Sequence, residues 1–110
     1  MIDFSDSKIF FEREFNQRYD KYVRYVLQQA KIDGLYLEFG VATGETTKKY
    51  IDMMPEKSKP IYGFDSFKGL PENWANHLKG AFSTDGNIPF FKEKDAKIIV
   101  GMFEDTLPIF

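Results

Sequence analysis

One stretch of the chain, residues 35–47, limits the fold more than any other, and it reads LYLEFGVATGETT. Its first five residues, Leu35–Phe39, are mostly apolar and predict a short buried strand. Gly40 and Gly44 follow, and glycines allow the backbone to approach a ligand closely. Glu45 then opens a predicted helix, whose first N–H groups are free to meet an anion. The order of strand, carboxylate (Glu38), glycine turn and helix is typical of a site for a nucleotide-type cofactor.

The residues after this stretch complete a βαβ unit. The helix is predicted from Glu45 to Met54, and Pro55 ends it. A second strand is predicted over Ile61–Phe64, with Asp65 at its carboxyl end, and a third over Lys97–Val100. Strand, helix and strand within about 30 residues indicate two parallel strands joined by a crossover helix. The predicted fold class is therefore α/β with a parallel sheet.

A long amphipathic helix is predicted before this unit, over residues 8–32. Ser5–Ser7 offer N-cap residues, and Asp33-Gly34 provides the C-terminal end. Apolar side chains recur at three- and four-residue spacing along the helix. This stripe either packs the helix against the sheet or lines an entrance for a substrate, and it consists of Phe11, Phe15, Tyr19, Tyr22, Val26 and Ala30.

Residues 66–95 have no regular period, because glycine and proline interrupt them repeatedly. Pro71–Trp74 predicts the start of a short helix that runs to Lys79. His77 is the only histidine of the chain. It either packs beside Trp74 or serves as a general base near neutral pH. With the preceding helix, the βαβ core over residues 35–65 and the third strand, this segment forms one predicted domain over residues 1–110.

Composition narrows the classes of function. A chain of 110 residues, 43% of them hydrophobic, has material for one packed domain. The net charge of −2 and the absence of a basic stripe argue against a nucleic-acid partner. The lack of cysteine excludes disulfides and thiolate chemistry. No apolar run approaches the roughly 18–20 residues of a membrane span, and the N-terminus does not read as a signal peptide. We therefore expect a cytoplasmic protein without a membrane partner.

Two carboxylates carry the prediction of a ligand. Asp65, at the tip of the second strand, is placed to accept hydrogen bonds from both hydroxyls of a ribose, or else it serves as a turn or cap residue. Glu38 would repel a pyrophosphate and suits a cationic ligand such as S-adenosylmethionine, or else it holds the glycine loop. The pattern Glu38-x-Gly40-x-x-x-Gly44 also departs from the G-x-G-x-x-G fingerprint. Both points disfavour a dinucleotide-binding half-domain of an oxidoreductase.

Three segments resemble known methyltransferase motifs. Glu38–Gly44, EFGVATG, resembles motif I of class I S-adenosylmethionine-dependent methyltransferases. Gly63–Glu72 and Gly101–Pro108 are similar to segments of the macrocin-type O-methyltransferase family, which methylates hydroxyls on macrolide sugars and related acceptors. The resemblance implies a cofactor site in which the glycine loop faces the methionine part, Asp65 binds the ribose and the third strand end flanks the adenine. The implied residues are Glu38, Gly40, Val41, Ala42, Thr43, Gly44, Asp65, Ser66, Met102, Phe103 and Glu104.

The resemblance also implies a fold. Such methyltransferases share a three-layer, Rossmann-like, seven-stranded sheet, and this chain corresponds to the N-terminal half, with strands in the order 3-2-1 and an N-terminal amphipathic helix. The family carries an acidic motif on strand 4, which supplies ligands for a divalent metal and a candidate general base. No catalytic residue and no metal ligand is identified in this sequence. The first strand is expected at an open edge, where another copy or a partner chain would cover it.

The expected activity follows from this resemblance. It is S-adenosylmethionine-dependent methyl transfer to a hydroxyl of a small molecule, such as a sugar or another natural product, with this chain supplying the cofactor-binding half. The alternative is a non-catalytic module that binds S-adenosylmethionine or mediates assembly.

Overall fold

The computed structural model describes residues 4–30, 33–55 and 59–110, with side chains from residue 16 onward. The first helix, α1, spans Phe4–Gln28 and is followed by strand β1, Tyr36–Phe39. Helix α2, Glu45–Met53, leads to strand β2, Ile61–Asp65. After a long irregular segment come strand β3 (Ala96–Val100), the short helix α3 (Phe103–Thr106) and a 3-10 turn (Leu107–Ile109).

The three strands form one parallel sheet in the order β1-β2-β3. Tyr36 pairs with Ile61, and Ile61 pairs with Ala96 on its other side. The predicted α/β class and the parallel βαβ unit are therefore confirmed, and each strand lies within one residue of its predicted bounds. In the described part of the chain, β1 pairs with one neighbour only, so its other side is an open edge.

The buried core is small and lies around the central strand. Phe64 of β2 is completely buried, and Phe67 follows it into the interior. On the same face of the sheet, the Phe64 ring stacks on Phe39 with centroids 5.4 Å apart and meets the edge of Phe110 at 5.1 Å. Phe103 at the start of α3 packs against Phe39 at 5.7 Å. These aromatic contacts hold the carboxyl-terminal residues against β2.

Helix α1 differs from the prediction at both ends. It begins at Phe4, so Ser5–Ser7 lie inside the helix rather than at its N-cap. It ends at Gln28, where Gln29 N–H donates to the Val26 carbonyl at 3.0 Å in a tightened last turn. Gly34 lies beyond this end and has no left-handed conformation, so it is not the C-terminal cap. The predicted residues Lys31 and Ile32 lie outside the described part of the chain.

The apolar stripe of α1 is also shifted from its predicted position. Tyr19, Tyr22 and Val26 are exposed, whereas Val23 and Leu27 are half-buried. The side chains of Phe11 and Phe15 lie outside the described residues. Among the described helices, none has the length and apolar character needed to cross a membrane.

Residues 66–95 contain no described helix or strand, apart from an isolated bridge, so the predicted short helix after Pro71 is wrong. Trp74 and His77 exchange two backbone hydrogen bonds of 2.9 and 2.8 Å. Ala75, between them, has a φ of 51°, which a right-handed helix does not allow. Asn73 accepts a bond from the Lys79 N–H at 2.7 Å and closes the loop. A tight reversal therefore replaces the helix.

Candidate functional site

A cavity of about 470 Å³ lies at the carboxyl ends of the three parallel strands. This is the edge at which open α/β sheets bind ligands. The wall combines strand ends with parts of the irregular segment: Phe39, Gly40, Ala42, Asp65, Ser66, Gly69, Leu70, Pro71, Ala81, Phe82, Gly101, Met102 and Phe103. It is mostly apolar, with a few polar groups, as is usual for cofactor and small-molecule sites.

Asp65 is the polar centre of this cavity. One of its carboxylate oxygens, Oδ2, accepts hydrogen bonds from the backbone N–H groups of Val41 at 2.8 Å and Ala42 at 2.7 Å. The other oxygen, Oδ1, accepts from Phe67 N–H at 2.9 Å. A single side chain at the tip of β2 thus fixes the glycine loop after β1 and the first turn after β2. A carboxylate has about four lone-pair positions, and these bonds occupy most of them.

The same contacts set the charge of Asp65. Burial opposes ionisation, but hydrogen bonds from four backbone N–H groups outweigh it and lower the pKa of this carboxyl, the donors being Ala42, Phe67, Val41 and Ser66. Asp65 is therefore an ionised acceptor at neutral pH and a poor proton donor.

Two glycines of the cavity wall follow strand ends and have positive φ angles. Gly40 has a φ of 94°, and its N–H donates to the Phe64 carbonyl at 2.8 Å. A side chain there would meet no atom within 4 Å, so the backbone of Gly40 borders open space. Gly101 has a φ of 147°, and its N–H donates to the Asp65 carbonyl at 3.0 Å. The turns that follow β1 and β3 thus each begin with a glycine that is still hydrogen-bonded to β2.

The irregular segment provides the opposite wall, which the sequence analysis did not assign to the site. Leu70 N–H donates to the Ala81 carbonyl and Gly80 N–H to the Leu70 carbonyl, each at 2.9 Å. Gly69 lies so close to the Gly80 and Ala81 carbonyls that a side chain could not fit. This backbone pairing brings Leu70, Ala81 and Phe82 to the cavity. The sequence signalled this backbone pairing only through its glycines, since the pairing joins residues about ten apart and has no regular period.

The predicted site residues divide into two groups. Six line the cavity, namely Gly40, Ala42, Asp65, Ser66, Met102 and Phe103. Val41 is buried beneath the loop and contributes its N–H to Asp65. The other four do not line it, namely Glu38, Thr43, Gly44 and Glu104.

Gly44 has a supporting position instead of a ligand-facing one. It is buried, has a φ of 84°, and a side chain there would lie 2.8 Å from the ring of Phe91. The first residues of α2 therefore pack against the irregular segment. The anion-binding use of this helix N-terminus, which the sequence suggested, does not coincide with the cavity.

Glu38 lies on the other face of β1. Its carboxylate accepts a hydrogen bond from the hydroxyl of Thr47, a fully buried residue of α2. Burial raises the pKa of Glu38, the Thr47 bond partly offsets this, and the charge of Asp65 adds a smaller increase. Side chains alternate between the two faces of a strand, so Phe39 faces the cavity while Glu38 faces the helices.

His77 packs in an aromatic group rather than in the cavity wall. Its ring lies 4.7 Å from that of Phe82 and stacks with Trp74 at 6.3 Å. Among the described residues, Asp65 is the only ionisable side chain in the cavity wall. Within the described residues, no group of three His, Cys, Asp or Glu side chains is placed to hold a metal ion.

Comparison of the chain with protein-family models, with curated proteins and with solved structures found no match.

Proposed function

We propose that this chain is the cofactor-binding half of an S-adenosylmethionine-dependent O-methyltransferase that acts on a hydroxyl of a small molecule, such as a sugar or another natural product. The observation that carries the proposal is the cavity across three parallel strand ends, with an ionised Asp65 at its centre. Its volume of about 470 Å³ lies within the usual range for small-molecule sites, about 300–1,000 Å³.

The charge of the cavity favours this cofactor over a dinucleotide. No lysine or arginine lines the wall, and the N-terminal residues of α2 do not reach it. A pyrophosphate would therefore find an anion, Asp65, and no cation. S-adenosylmethionine carries an ammonium and a sulfonium group and only one carboxylate. The charge of Glu38 has no part in this preference, because its side chain does not line the cavity.

In the proposed complex, each part of the cofactor has a matching part of the wall. The backbone at Gly40 and Ala42 faces the methionine portion, and the Asp65 carboxylate accepts from a ribose hydroxyl. Met102 and Phe103 flank the adenine. Val41 acts indirectly, because its N–H holds the Asp65 carboxylate in place.

The chemistry requires positioning more than it requires a catalytic group. When bound, S-adenosylmethionine would supply the methyl group: the acceptor oxygen would bond to the methyl carbon as the bond from that carbon to sulfur breaks, which would leave a thioether. The acceptor hydroxyl releases its proton. Holding donor and acceptor in line supplies most of the acceleration available to such a site. Asp65 is a poor base because its pKa is lowered, and no other ionisable group lines the cavity. The base and the acceptor site therefore lie outside this wall.

The lack of a base also supports a second candidate, a non-catalytic module that binds S-adenosylmethionine or mediates assembly. A methyl-transfer assay with a range of hydroxyl acceptors separates the two. Methyl transfer by the chain, alone or with a partner chain, supports the enzyme, whereas binding without transfer supports the module.

Calorimetric titration with S-adenosylmethionine, S-adenosylhomocysteine and NAD tests the cofactor. We expect the first two to bind and NAD not to bind. Phe82→Ala should weaken binding about two- to tenfold, since one aromatic wall is lost. Phe90→Ala is the matched control, because Phe90 is highly exposed and outside the cavity. Gly40→Val and Asp65→Ala should abolish binding in protein that still folds. Binding of NAD alone, or equal affinities for the wild type and all three site variants, would rule out the assignment.

A further inference from the structure

A second cavity lies on the opposite face of β1, between the sheet and helix α1, with a volume of about 230 Å³. Three tyrosines border it: Tyr22 from α1, Tyr36 from β1 and Tyr50 from α2. The rest of the wall is aliphatic, apart from one charged side chain, Glu38. The proposed methyl-transfer function uses none of these four residues.

Glu38 borders this cavity and has no cationic partner among the described residues. Its one hydrogen bond in the described structure comes from the Thr47 hydroxyl, and neither lysine nor arginine lines the wall. The ion pairs described for this chain join other residues, such as Lys49 with Asp20. A half-buried carboxylate without a counter-charge is costly, and the raised pKa of Glu38 has burial as its largest cause. A cation in the cavity would offset that cost.

The three tyrosines that border this cavity supply aromatic surface for a cation. The face of an aromatic ring carries partial negative charge and attracts a cation within about 6 Å of its centre. The Tyr50 hydroxyl is bonded to the Tyr19 hydroxyl at 3.2 Å, and this bond, with burial, raises the pKa of Tyr50 to about 12. Tyr50 therefore stays neutral, and its ring remains available as an uncharged surface.

The shortage of acceptors selects the type of cation. A primary ammonium carries three N–H donors that each need an acceptor. Glu38 and the tyrosine hydroxyls are the only polar side-chain groups of the wall, and Thr47 already occupies part of the carboxylate. A methylated ammonium has a positive charge and an apolar surface but no such donors to satisfy. A volume of about 230 Å³ is below the roughly 300 Å³ at which drug-sized sites begin, which suits a small head group.

We propose that this cavity binds a quaternary ammonium group, with Glu38 as counter-charge and the rings of Tyr22, Tyr36 and Tyr50 as its walls. The site lies across β1 from the S-adenosylmethionine cavity, and the two cavities share no lining residue.

Choline and its uncharged isostere, in which carbon replaces nitrogen, test the proposal. NMR titration of the folded chain follows the tyrosine ring signals. We expect choline to shift the signals of Tyr22, Tyr36 and Tyr50, and the isostere to bind at least about tenfold more weakly. Equal binding of the two would show that the cavity accepts apolar groups without regard to charge. The absence of a shift at millimolar choline would show that the cavity does not bind this group. Either result overturns the proposal.

Glu38→Gln separates charge from packing. The glutamine keeps an acceptor for Thr47 and removes the charge, so choline affinity should fall at least about tenfold while the fold is kept. The variant should unfold at no lower a temperature at neutral pH, because the charge of Glu38 opposes burial. Tyr22→Leu, at the exposed mouth, should weaken choline binding severalfold, and Glu72→Gln, an exposed loop residue, should leave it unchanged. Unchanged choline affinity in Glu38→Gln contradicts the assigned role of the carboxylate.

Discussion

At the scale of single residues, Asp65 has the largest influence on the cavity at the strand ends. The sequence left two roles for it, a ribose acceptor or a turn residue. The structure gives it the second role directly, through its bonds to Val41, Ala42 and Phe67. The first role stays a proposal. Sequence could not weigh the two, because the donors are backbone groups, which carry no residue-specific signal.

Asp65→Asn tests the structural role. Asparagine keeps one acceptor oxygen and replaces the other with a donor, so one or two of the three N–H groups lose their partner. We expect the free energy of unfolding to fall by about 2–3 kcal/mol. Urea denaturation at neutral pH measures it, with Asp85→Asn as control, since asparagine tolerates the φ of 54° at that exposed position. An unchanged midpoint for Asp65→Asn would show that these bonds do not stabilise the fold.

The lowered pKa of Asp65 also determines how its contribution to the free energy of unfolding changes with pH. The pKa of Asp65 in the folded state is lowered from its ordinary 3.8. Its stabilising effect is therefore complete above about pH 4 and is lost as the pH falls through the lowered value. The destabilisation caused by Asp65→Asn should accordingly be largest near neutral pH and shrink in acid.

At the scale of elements, the βαβ unit was predictable and the segment after it was not. The strands and α2 have short apolar runs or helical spacing, with Gly44 and Pro55 as boundaries. The wall formed by Leu70, Ala81 and Phe82 depends on backbone pairing within an irregular loop. Helix α1 was predicted as an element, but its buried side lies one residue from the predicted one: Val23 and Leu27 are half-buried, and Tyr22 and Val26 are exposed. An amphipathic pattern with many tyrosines does not define one apolar face, since tyrosine is stable on either side.

Gly44 links α2 to that irregular segment, and its substitution tests the contact. Gly44 and Gly86 have nearly the same φ, 84° and 80°, but only Gly44 has the ring of Phe91 at 2.8 Å from the position of an added Cβ. Alanine at either site incurs a backbone cost of about 1–2 kcal/mol. At Gly44 we expect about 1–3 kcal/mol more, from the displaced ring. Thermal denaturation of Gly44→Ala and Gly86→Ala compares them, and equal losses would mean that the Phe91 contact imposes no constraint.

At the scale of the whole molecule, the open edge of β1 was foreseen from the sequence together with the resemblance, and it has an apolar face beside it. Leu37 is 42% exposed and Phe39 53% exposed on that face. Unpaired backbone groups next to apolar side chains favour pairing with another strand. The chain that would supply such a strand was not predictable, because this sequence carries no information on the surface of a partner.

We expect the purified chain to associate with itself at micromolar concentration through this edge. Sedimentation velocity should show species larger than a monomer, and Leu37→Lys should reduce them. Phe90→Lys is the control, since Phe90 is exposed elsewhere. Amide exchange adds a second measurement, in which β1 amides exchange faster than β2 amides in dilute protein and slow down as concentration rises. A monomer at every concentration, with β1 as protected as β2, would argue against a pairing edge.

Strand β1 is only four residues long, and it separates the two cavities. Phe39 borders one and Glu38 the other, so neighbouring side chains of the same short strand face two different cavities. Because β1 is held by a single neighbour, a ligand on either face that changes its order or position changes the other face as well. Thermodynamic linkage then requires reciprocity: whatever factor choline adds to or removes from the affinity for S-adenosylmethionine, S-adenosylmethionine exerts on choline in the same measure.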